Sequence, residues 1–207
     1  MLIGIDMDNT LTDTNYTLID ILNRERTRPN QISYEDFDAY LIRTIWQHPS
    51  ITAKEYTNQR MYEQKAINEM NLFVHAIAII KELLYEHEIH IYSERPVEEL
   101  EAIKNYLLRN NFPIYDVTFH FGVHKATIQE ELLAKNIEVY VDDNPNVIKR
   151  ITNKMIIPII CSHPYNETCY NYMRLECFSL LPYLIKRAEE TLHDRRTREQ
   201  KRLRKLG

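Results

Sequence analysis

The chain has 207 residues, 44% of them hydrophobic, which suffices for one α/β core and a modest insertion and argues against a second full domain. No stretch approaches the roughly 18 uninterrupted apolar residues of a membrane span, and a predicted strand begins at the second residue, so we expect a cytoplasmic protein without a signal peptide. The 26 basic and 30 acidic residues give a net charge of −4, which argues against broad contact with a phosphate backbone.

The first predicted strand, residues 2–5, is followed at once by two carboxylates. Asp6 and Asp8 stand two positions apart, and Thr10 completes the pattern D-x-D-x-T. In open parallel sheets, ligands bind outside the carboxyl ends of the strands. The pattern therefore predicts a pair of functional acids at that edge, although an ordinary acidic loop can produce it by chance.

Residues 13–70 form the next predicted unit, a helical insertion between two parts of an α/β core, residues 1–12 and 71–185. This region is polar, aromatic and helix-like, and such a module would lie over the catalytic edge and exclude water. Its aromatic side chains could stack on a nucleotide base or form the module's own small core. Those side chains are Tyr16, Tyr34, Phe37, Tyr40 and Trp46. Arg43 and Arg60 could meet a polar base edge or lie in solvent.

Strands and helices alternate after residue 70, which predicts a doubly wound, mostly parallel Rossmann-like sheet. The further strands are predicted at residues 89–92, 117–121, 139–141 and 155–161. Helical periodicity predicts helices at residues 73–86, 96–109, 125–135 and 180–202.

Ser93 directly follows the second predicted strand. A serine hydroxyl at a strand-to-helix turn can donate a hydrogen bond to a phosphoryl oxygen. The same residue, followed by glutamate and proline, could instead cap the next helix. Ser93 falls at the edge that Asp6 and Asp8 define, which favours a ligand contact over the cap.

Lys125 follows the third predicted strand. Its ammonium group would offset the charge of a phosphoryl group and of an attacking carboxylate, which otherwise repel each other. Lys104 or Lys135 could fill this position instead. His120 and His124 flank the same turn, and we expect structural roles for both because neither has an acidic or metal-ligand pattern around it.

Asp142 and Asp143 end the fourth predicted strand. Two more carboxylates beside Asp6 and Asp8 repel one another unless a cation lies between them. Hard oxygen ligands suit Mg²⁺ better than zinc, so the sequence predicts Mg²⁺ bound by these four aspartates. A plain acidic turn is the alternative, and the sequence does not separate Asp142 from Asp143 as the direct ligand.

The C-terminal segment, residues 186–207, carries nine basic and four acidic residues, a balance of +5, whereas the remainder carries 17 basic and 26 acidic residues, a balance of −9. We expect a solvated basic helix or tail, and contact with nucleic acid only through it. Cys161, Cys169 and Cys177 lack the spacing of zinc ligands and are expected to be reduced thiols.

Taken together, these motifs resemble those of the haloacid dehalogenase superfamily of aspartate-based phosphatases. They are Asp6-Met7-Asp8-Asn9-Thr10, Ser93, Lys125 and Asp142-Asp143, in that order. More narrowly, the insertion, the segment 141–145 and the segment 162–166 resemble the cytosolic deoxyribonucleotidases and their bacterial relatives. Two features depart from that pattern: Asn9 stands where glycine is common, and the turn after the second strand is not centred on threonine.

The resemblance implies a mechanism and a substrate class. Asp6 would be the nucleophile that forms an aspartyl-phosphate, and Asp8 would protonate the leaving group and later activate water. Thr10 would orient Asp8, Asp143 would bind Mg²⁺ directly, and Asp142 would order the outer shell. The expected substrate is a nucleoside monophosphate. A sugar phosphate, a nucleic-acid 3'-phosphate or a non-catalytic binding role are the alternatives, and the oligomeric state stays open, a dimer included.

Overall fold

The computed structural model describes residues 1–24, 33 and 64–205. Its strands form a single parallel sheet in the order β3-β2-β1-β4-β5-β6. They are β1 Leu2–Asp6, β2 Glu88–Tyr92, β3 Thr118–His120, β4 Val139–Asp142, β5 Ile157–Cys161 and β6 Met173–Leu175. The doubly wound parallel sheet predicted from the sequence is thereby confirmed, and β1 lies at its centre between β2 and β4.

Helices pack on both faces of this sheet. In the described part of the chain they are α1 Thr14–Arg24, α2 Gln64–Glu69, α3 Ala76–Leu83, α4 Leu100–Arg109, α5 Ile128–Ala134, α6 Pro145–Arg150 and α7 Leu181–Leu203. Short 3-10 turns lie at Val97–Glu99, Lys125–Thr127, Pro164–Asn166 and Phe178–Leu180. Two of the predicted helices, 96–109 and 125–135, therefore begin as 3-10 turns.

Two elements are absent from the sequence-based prediction. β6 has only three residues, which is too short for a clear apolar alternation, and it forms through backbone pairing with β5. α6 begins at Pro145, directly after Asn144, where no helix was predicted. The Asn144 side chain accepts a hydrogen bond from the Asn146 backbone N–H at 2.9 Å and caps the helix, and Pro145 occupies the first helical position, where proline is favoured.

The core lies on the two faces of β1. Ile3 and Ile5 are fully buried on the face that α3, α4 and α7 cover. On the other face, next to Gly4, the rings of Tyr92 and Tyr140 meet edge to face, with their centroids 5.6 Å apart. A Cβ atom on Gly4 would lie 2.8 Å from Tyr140 Cδ2 and 3.0 Å from Tyr92 Cε2. Glycine at this position therefore allows the two tyrosine rings to pack against the central strand.

The predicted insertion leaves and rejoins the core at one place. The Asp13 backbone N–H donates to Asn71 O at 2.7 Å, and the Phe73 N–H donates to Leu11 O at 3.1 Å. Between them, α1 and α2 are helical as expected. Tyr16 is 55% exposed. The other candidate base-contact residues lie outside the described residues: Tyr34, Phe37, Tyr40, Arg43, Trp46 and Arg60.

α7 runs without a break across residue 186, where we placed the start of the basic tail. Ala188 and Leu192 are still buried against the core, so the exposed basic stretch begins after Leu192. Within the described ranges, no helix is long and apolar enough to cross a membrane.

Candidate active site

The carboxyl ends of β1, β2 and β4 bring most of the predicted site residues together. Asp6 is the last residue of β1 and is paired in register with Tyr92 of β2, so Ser93 follows beside it. On the other side, Ile5 is paired with Val141, which places Asp142 at the same edge. The order of the strands therefore gathers residues that are up to 136 positions apart in the chain.

Lys125 links the two neighbouring strand ends. Its ammonium group donates to Asp6 Oδ1, and to Asp142 Oδ2 at 2.6 Å. Burial lowers the pKa of Lys125, but Asp142 and Asp6 together raise it well above its usual range, so the side chain stays charged. Lys125 thus occupies the position expected for it, rather than Lys104 or Lys135.

Asp142 is held at both of its carboxylate oxygens. Oδ2 accepts from Lys125 and from the Tyr140 hydroxyl at 3.0 Å, and Oδ1 accepts from the Asn144 backbone N–H at 2.8 Å. The side chain is fully buried. These contacts fix Asp142 as the partner that orients Lys125.

Asp6, Asp142 and Asp143 form a buried group of carboxylates in which one oxygen from each lies within 4.8 Å of the others. Burial raises the pKa of Asp6 well above its usual range, and the two neighbouring carboxylates add to this while Lys125 opposes it. Burial and Asp142 likewise raise the pKa of Asp143 to about 7. Three hard oxygen donors whose charges Lys125 only partly balances fit a divalent cation such as Mg²⁺.

Asp8 lies apart from this group and pairs with a cation that we did not anticipate. Arg95 Nη2 donates to Asp8 Oδ1 at 2.8 Å and Nε donates to Oδ2 at 3.0 Å, while Nη1 donates to Glu99 Oε2 at 3.1 Å. Burial raises the pKa of Asp8, but Arg95 and the Thr14 hydrogen bond lower it below its usual value. The first catalytic step expected for Asp8 requires a protonated carboxyl group, whereas this arrangement favours the carboxylate, the form that accepts a proton.

Thr14, rather than Thr10, provides the hydroxyl that contacts Asp8. Thr14 Oγ1 donates to Asp8 Oδ1 at 2.7 Å, because α1 begins at this residue and directs its first turn toward the strand end. Thr10 is fully buried, and its Oγ1 atom has no hydrogen-bond partner among the described residues. The structure thus places Thr10 beside the motif without the contact to Asp8 that we expected.

Ser93 is 1% exposed and forms a tight turn after β2. Its Oγ accepts from the Arg95 backbone N–H at 3.1 Å, and its carbonyl accepts from the Val123 N–H at 3.1 Å. The N-cap of the following turn is Pro96, so Ser93 does not serve as the helix cap. The neighbouring Gly122 has a φ of 70°, which a residue with a side chain rarely adopts and which lets the chain turn toward Lys125.

The turn after Asp8 is held by a segment that follows β5. Asn9 adopts a φ of 62°, in the left-handed region that asparagine tolerates better than most residues. His163 Nε2 lies 2.6 Å from Asn9 O, and Asn9 Oδ1 accepts from the Asn15 N–H at 2.7 Å. These contacts stabilise asparagine where the resembled superfamily commonly has glycine.

His120, for which we expected a structural role, packs within the sheet. Its Nε2 lies 2.8 Å from His90 Nδ1, and its ring stacks on those of His90 and Tyr92. Burial lowers the pKa of His120 to about 4, so its ring stays neutral near pH 7. Neither histidine has a hydrogen bond to Asp6, Asp142 or Asp143.

No family model matches this chain. Two curated bacterial proteins, each named "Putative nucleotidase", are similar to it in sequence. The one from Oceanobacillus iheyensis is 24% identical over 180 residues, 84% of this chain and 94% of that protein. The one from Bacillus cereus is 22% identical over 190 residues, 90% of this chain and 99% of that protein.

Solved structures provide a second comparison. A haloacid dehalogenase-like hydrolase from Streptococcus pneumoniae has a TM-score of 0.62 at 13% identity and covers 88% of this chain and 97% of its own. A haloacid dehalogenase family hydrolase from Deinococcus radiodurans, with bound phosphate and sodium, has a TM-score of 0.57 at 11% identity. It covers 91% of this chain and 96% of its own. The chain has the haloacid dehalogenase fold, and the resemblance predicted from the sequence is confirmed.

Proposed function

We propose that this protein is a Mg²⁺-dependent phosphomonoesterase that hydrolyses nucleoside monophosphates through an aspartyl-phosphate on Asp6. The observation that carries the proposal is the position of Asp6, at the end of the central strand, bonded to Lys125 and grouped with Asp142 and Asp143. The names of the two curated relatives support the substrate class. The phosphate bound to the Deinococcus radiodurans structure supports phosphoryl chemistry on this fold.

The proposed reaction has two steps. In the first, an Asp6 oxygen attacks phosphorus, the bond from phosphorus to the ester oxygen breaks, and the leaving alcohol takes a proton from Asp8, which must enter this step protonated although Arg95 favours its carboxylate form. In the second, water attacks phosphorus of the aspartyl-phosphate, Asp8 takes a proton from that water, and the bond from phosphorus to the Asp6 oxygen breaks, which releases phosphate and restores the Asp6 carboxylate. Lys125 offsets charge on the phosphoryl oxygens, and the Ser93 hydroxyl donates to one of them. When bound, Mg²⁺ would be held by Asp6, Asp143 and the Asp8 backbone carbonyl and would reduce the repulsion between the two anions.

The Asp6→Asn substitution tests the nucleophile. Because an amide cannot form the acyl phosphate, we expect phosphate release to fall by about 10³-fold or more. The measurement is Mg²⁺-dependent phosphate release from deoxynucleoside, nucleoside and sugar monophosphates, together with mass spectrometry of acid-quenched protein for phosphate on the Asp6 peptide. Asp116→Asn, at an exposed carboxylate two residues before β3, is the control.

Equal phosphate release by the wild type and Asp6→Asn on every substrate would refute both the nucleophile and the enzymatic function. A clear preference of the wild type for sugar monophosphates would retain the mechanism and replace the substrate class. Fast release from deoxynucleoside or nucleoside monophosphates supports the proposal as stated.

A further inference from the structure

The segment 162–166, here called the His163 loop, follows β5, ends in the 3-10 turn Pro164–Asn166 and contacts the site on two sides. On one side, the Tyr165 hydroxyl donates to Asp143 Oδ2. On the other, His163 Nε2 contacts Asn9 O at 2.6 Å in the turn that follows Asp8. The rings of His163 and Tyr165 stack with centroids 5.1 Å apart and planes 6° apart, so the two contacts belong to one rigid unit.

Asn166 fixes the base of the same loop. Its side-chain N–H₂ group donates to Asp143 O and to Cys161 O, both at 2.7 Å, and its Oδ1 accepts from the His163 N–H at 3.0 Å. Asn166 is fully buried, so an unmade hydrogen bond there would be costly. The loop therefore holds Asp143 by both its backbone and its side chain.

The carboxylates of Asp142 and Asp143 differ in how their oxygen atoms are hydrogen-bonded. Asp142 accepts hydrogen bonds at Oδ1 and at Oδ2. Asp143 accepts the Tyr165 hydroxyl at Oδ2, and its carboxyl also has a hydrogen bond from its own backbone N–H. A carboxylate with one oxygen fixed by a hydroxyl is well suited to single-oxygen coordination of a cation through the other.

We propose that Tyr165 is a positioning residue for the metal site: its hydroxyl holds one oxygen of Asp143 and so presents the other to a divalent cation, while the stacked His163 ties this group to the Asn9 turn. This inference rests on the divalent-cation site of the proposed function. Residues that hydrogen-bond a metal ligand set its orientation, and their loss typically lowers metal affinity about 10- to 100-fold.

Tyr165→Phe tests this role because it removes the hydroxyl and keeps the ring that stacks on His163. We expect the Mg²⁺ concentration that gives half of the maximal increase in Tm to rise about tenfold, with isothermal titration giving a similar loss of affinity. At saturating Mg²⁺ we expect kcat to recover to within about threefold of the wild type. Tyr170→Phe is the matched control, since Tyr170 lies in the following segment and is 77% exposed.

The unfolding temperature without metal is measured first for all three proteins, so that a folding defect is not mistaken for weaker binding. Unchanged Mg²⁺ affinity in a folded Tyr165→Phe protein overturns the inference and leaves the proposed function intact. A loss of kcat that saturating Mg²⁺ does not restore also overturns it, because Tyr165 would then act outside metal binding. If the wild type neither binds Mg²⁺ nor releases phosphate, the proposed function fails and the inference fails with it.

Discussion

Arg95 is 2% exposed and is shared by two carboxylates, Asp8 and Glu99. A buried guanidinium group is costly to desolvate and is retained where its partners satisfy it. Its Nη2 atom also lies 3.5 Å from Met70 Sδ, at the end of the insertion. Arg95 therefore connects the catalytic edge, the turn after β2 and the point where the insertion returns.

Arg95→Gln should reduce both stability and activity. Removing one partner of a buried ion pair leaves Asp8 and Glu99 facing each other, and we expect a loss of about 3 kcal/mol in the free energy of unfolding. We expect kcat/KM per folded molecule to fall about 100-fold because Asp8 loses its orientation. Urea unfolding and steady-state kinetics measure the two effects, with Arg109→Gln, at an exposed arginine, as the control. Lower stability with unchanged kcat/KM would make Arg95 a purely structural residue.

At the scale of single residues, the sequence predicts the acids and Lys125 because each follows an apolar strand, and strand ends meet at one edge. It does not predict Arg95, Thr14 or Tyr165. Each of these acts through a contact with a residue at least six positions away, which depends on strand order and on turn geometry. For Arg95 the only local signal was its position two residues after Ser93.

At the scale of elements, the central strand depends on a residue without a side chain. Gly4 lies against the rings of Tyr92 and Tyr140, and Tyr140 in turn donates to Asp142. The packing of β1 and the position of a site carboxylate are thus linked through one aromatic ring.

Gly4→Ala should be destabilising although alanine is small. The added Cβ would lie 2.8 Å from a Tyr140 ring atom, and a buried aromatic ring between strands has little room to move. We expect a loss of about 1–3 kcal/mol, measured by urea unfolding. An unfolding midpoint equal to that of the wild type would show that the two rings can move apart without cost.

The elements that the sequence predicts well are the strands with an apolar pattern: β1 to β5 are all within two residues of their expected bounds. The short elements β6 and α6 were missed. β6 forms because it pairs with β5, and α6 is stabilised by the side-chain cap at Asn144. Neither the strand pairing nor the cap is visible in the local pattern of apolar residues.

At the scale of the whole molecule, the charge is divided between an acidic body and a basic end, and α7 spans both. Arg196 pairs with Glu138 at the surface, and Arg195 donates to Lys154 O, so the first exposed turn is still tied to the core. Beyond Arg196 the described residues of the helix are mostly exposed.

Deleting residues 197–207 should change the free energy of unfolding by less than about 1 kcal/mol, because exposed helix ends contribute little. Leu192→Ala, at the last buried position of α7, should cost about 2–4 kcal/mol and is the contrasting variant. We expect the truncated protein to hydrolyse mononucleotides at the wild-type rate. Selective loss of activity on 3'-phosphorylated oligonucleotides would instead favour the nucleic-acid alternative and give the basic end a role in binding.

The paired hydrogen bonds between residues 11–13 and 71–73 have a consequence for the rest of the chain. These hydrogen bonds join the two ends of the insertion, so the sheet requires only that residues 11–13 and 71–73 lie together. The entropic cost of bringing these two ends together grows only with the logarithm of the number of residues between them. The length between α1 and α2 can therefore change at little cost to the closure of the insertion, whereas Thr14 and Ile67 contact the site and the core. Under the proposed function, we therefore expect that exchanging the residues between α1 and α2 changes the preferred substrate and leaves the phosphoryl chemistry of the core in place.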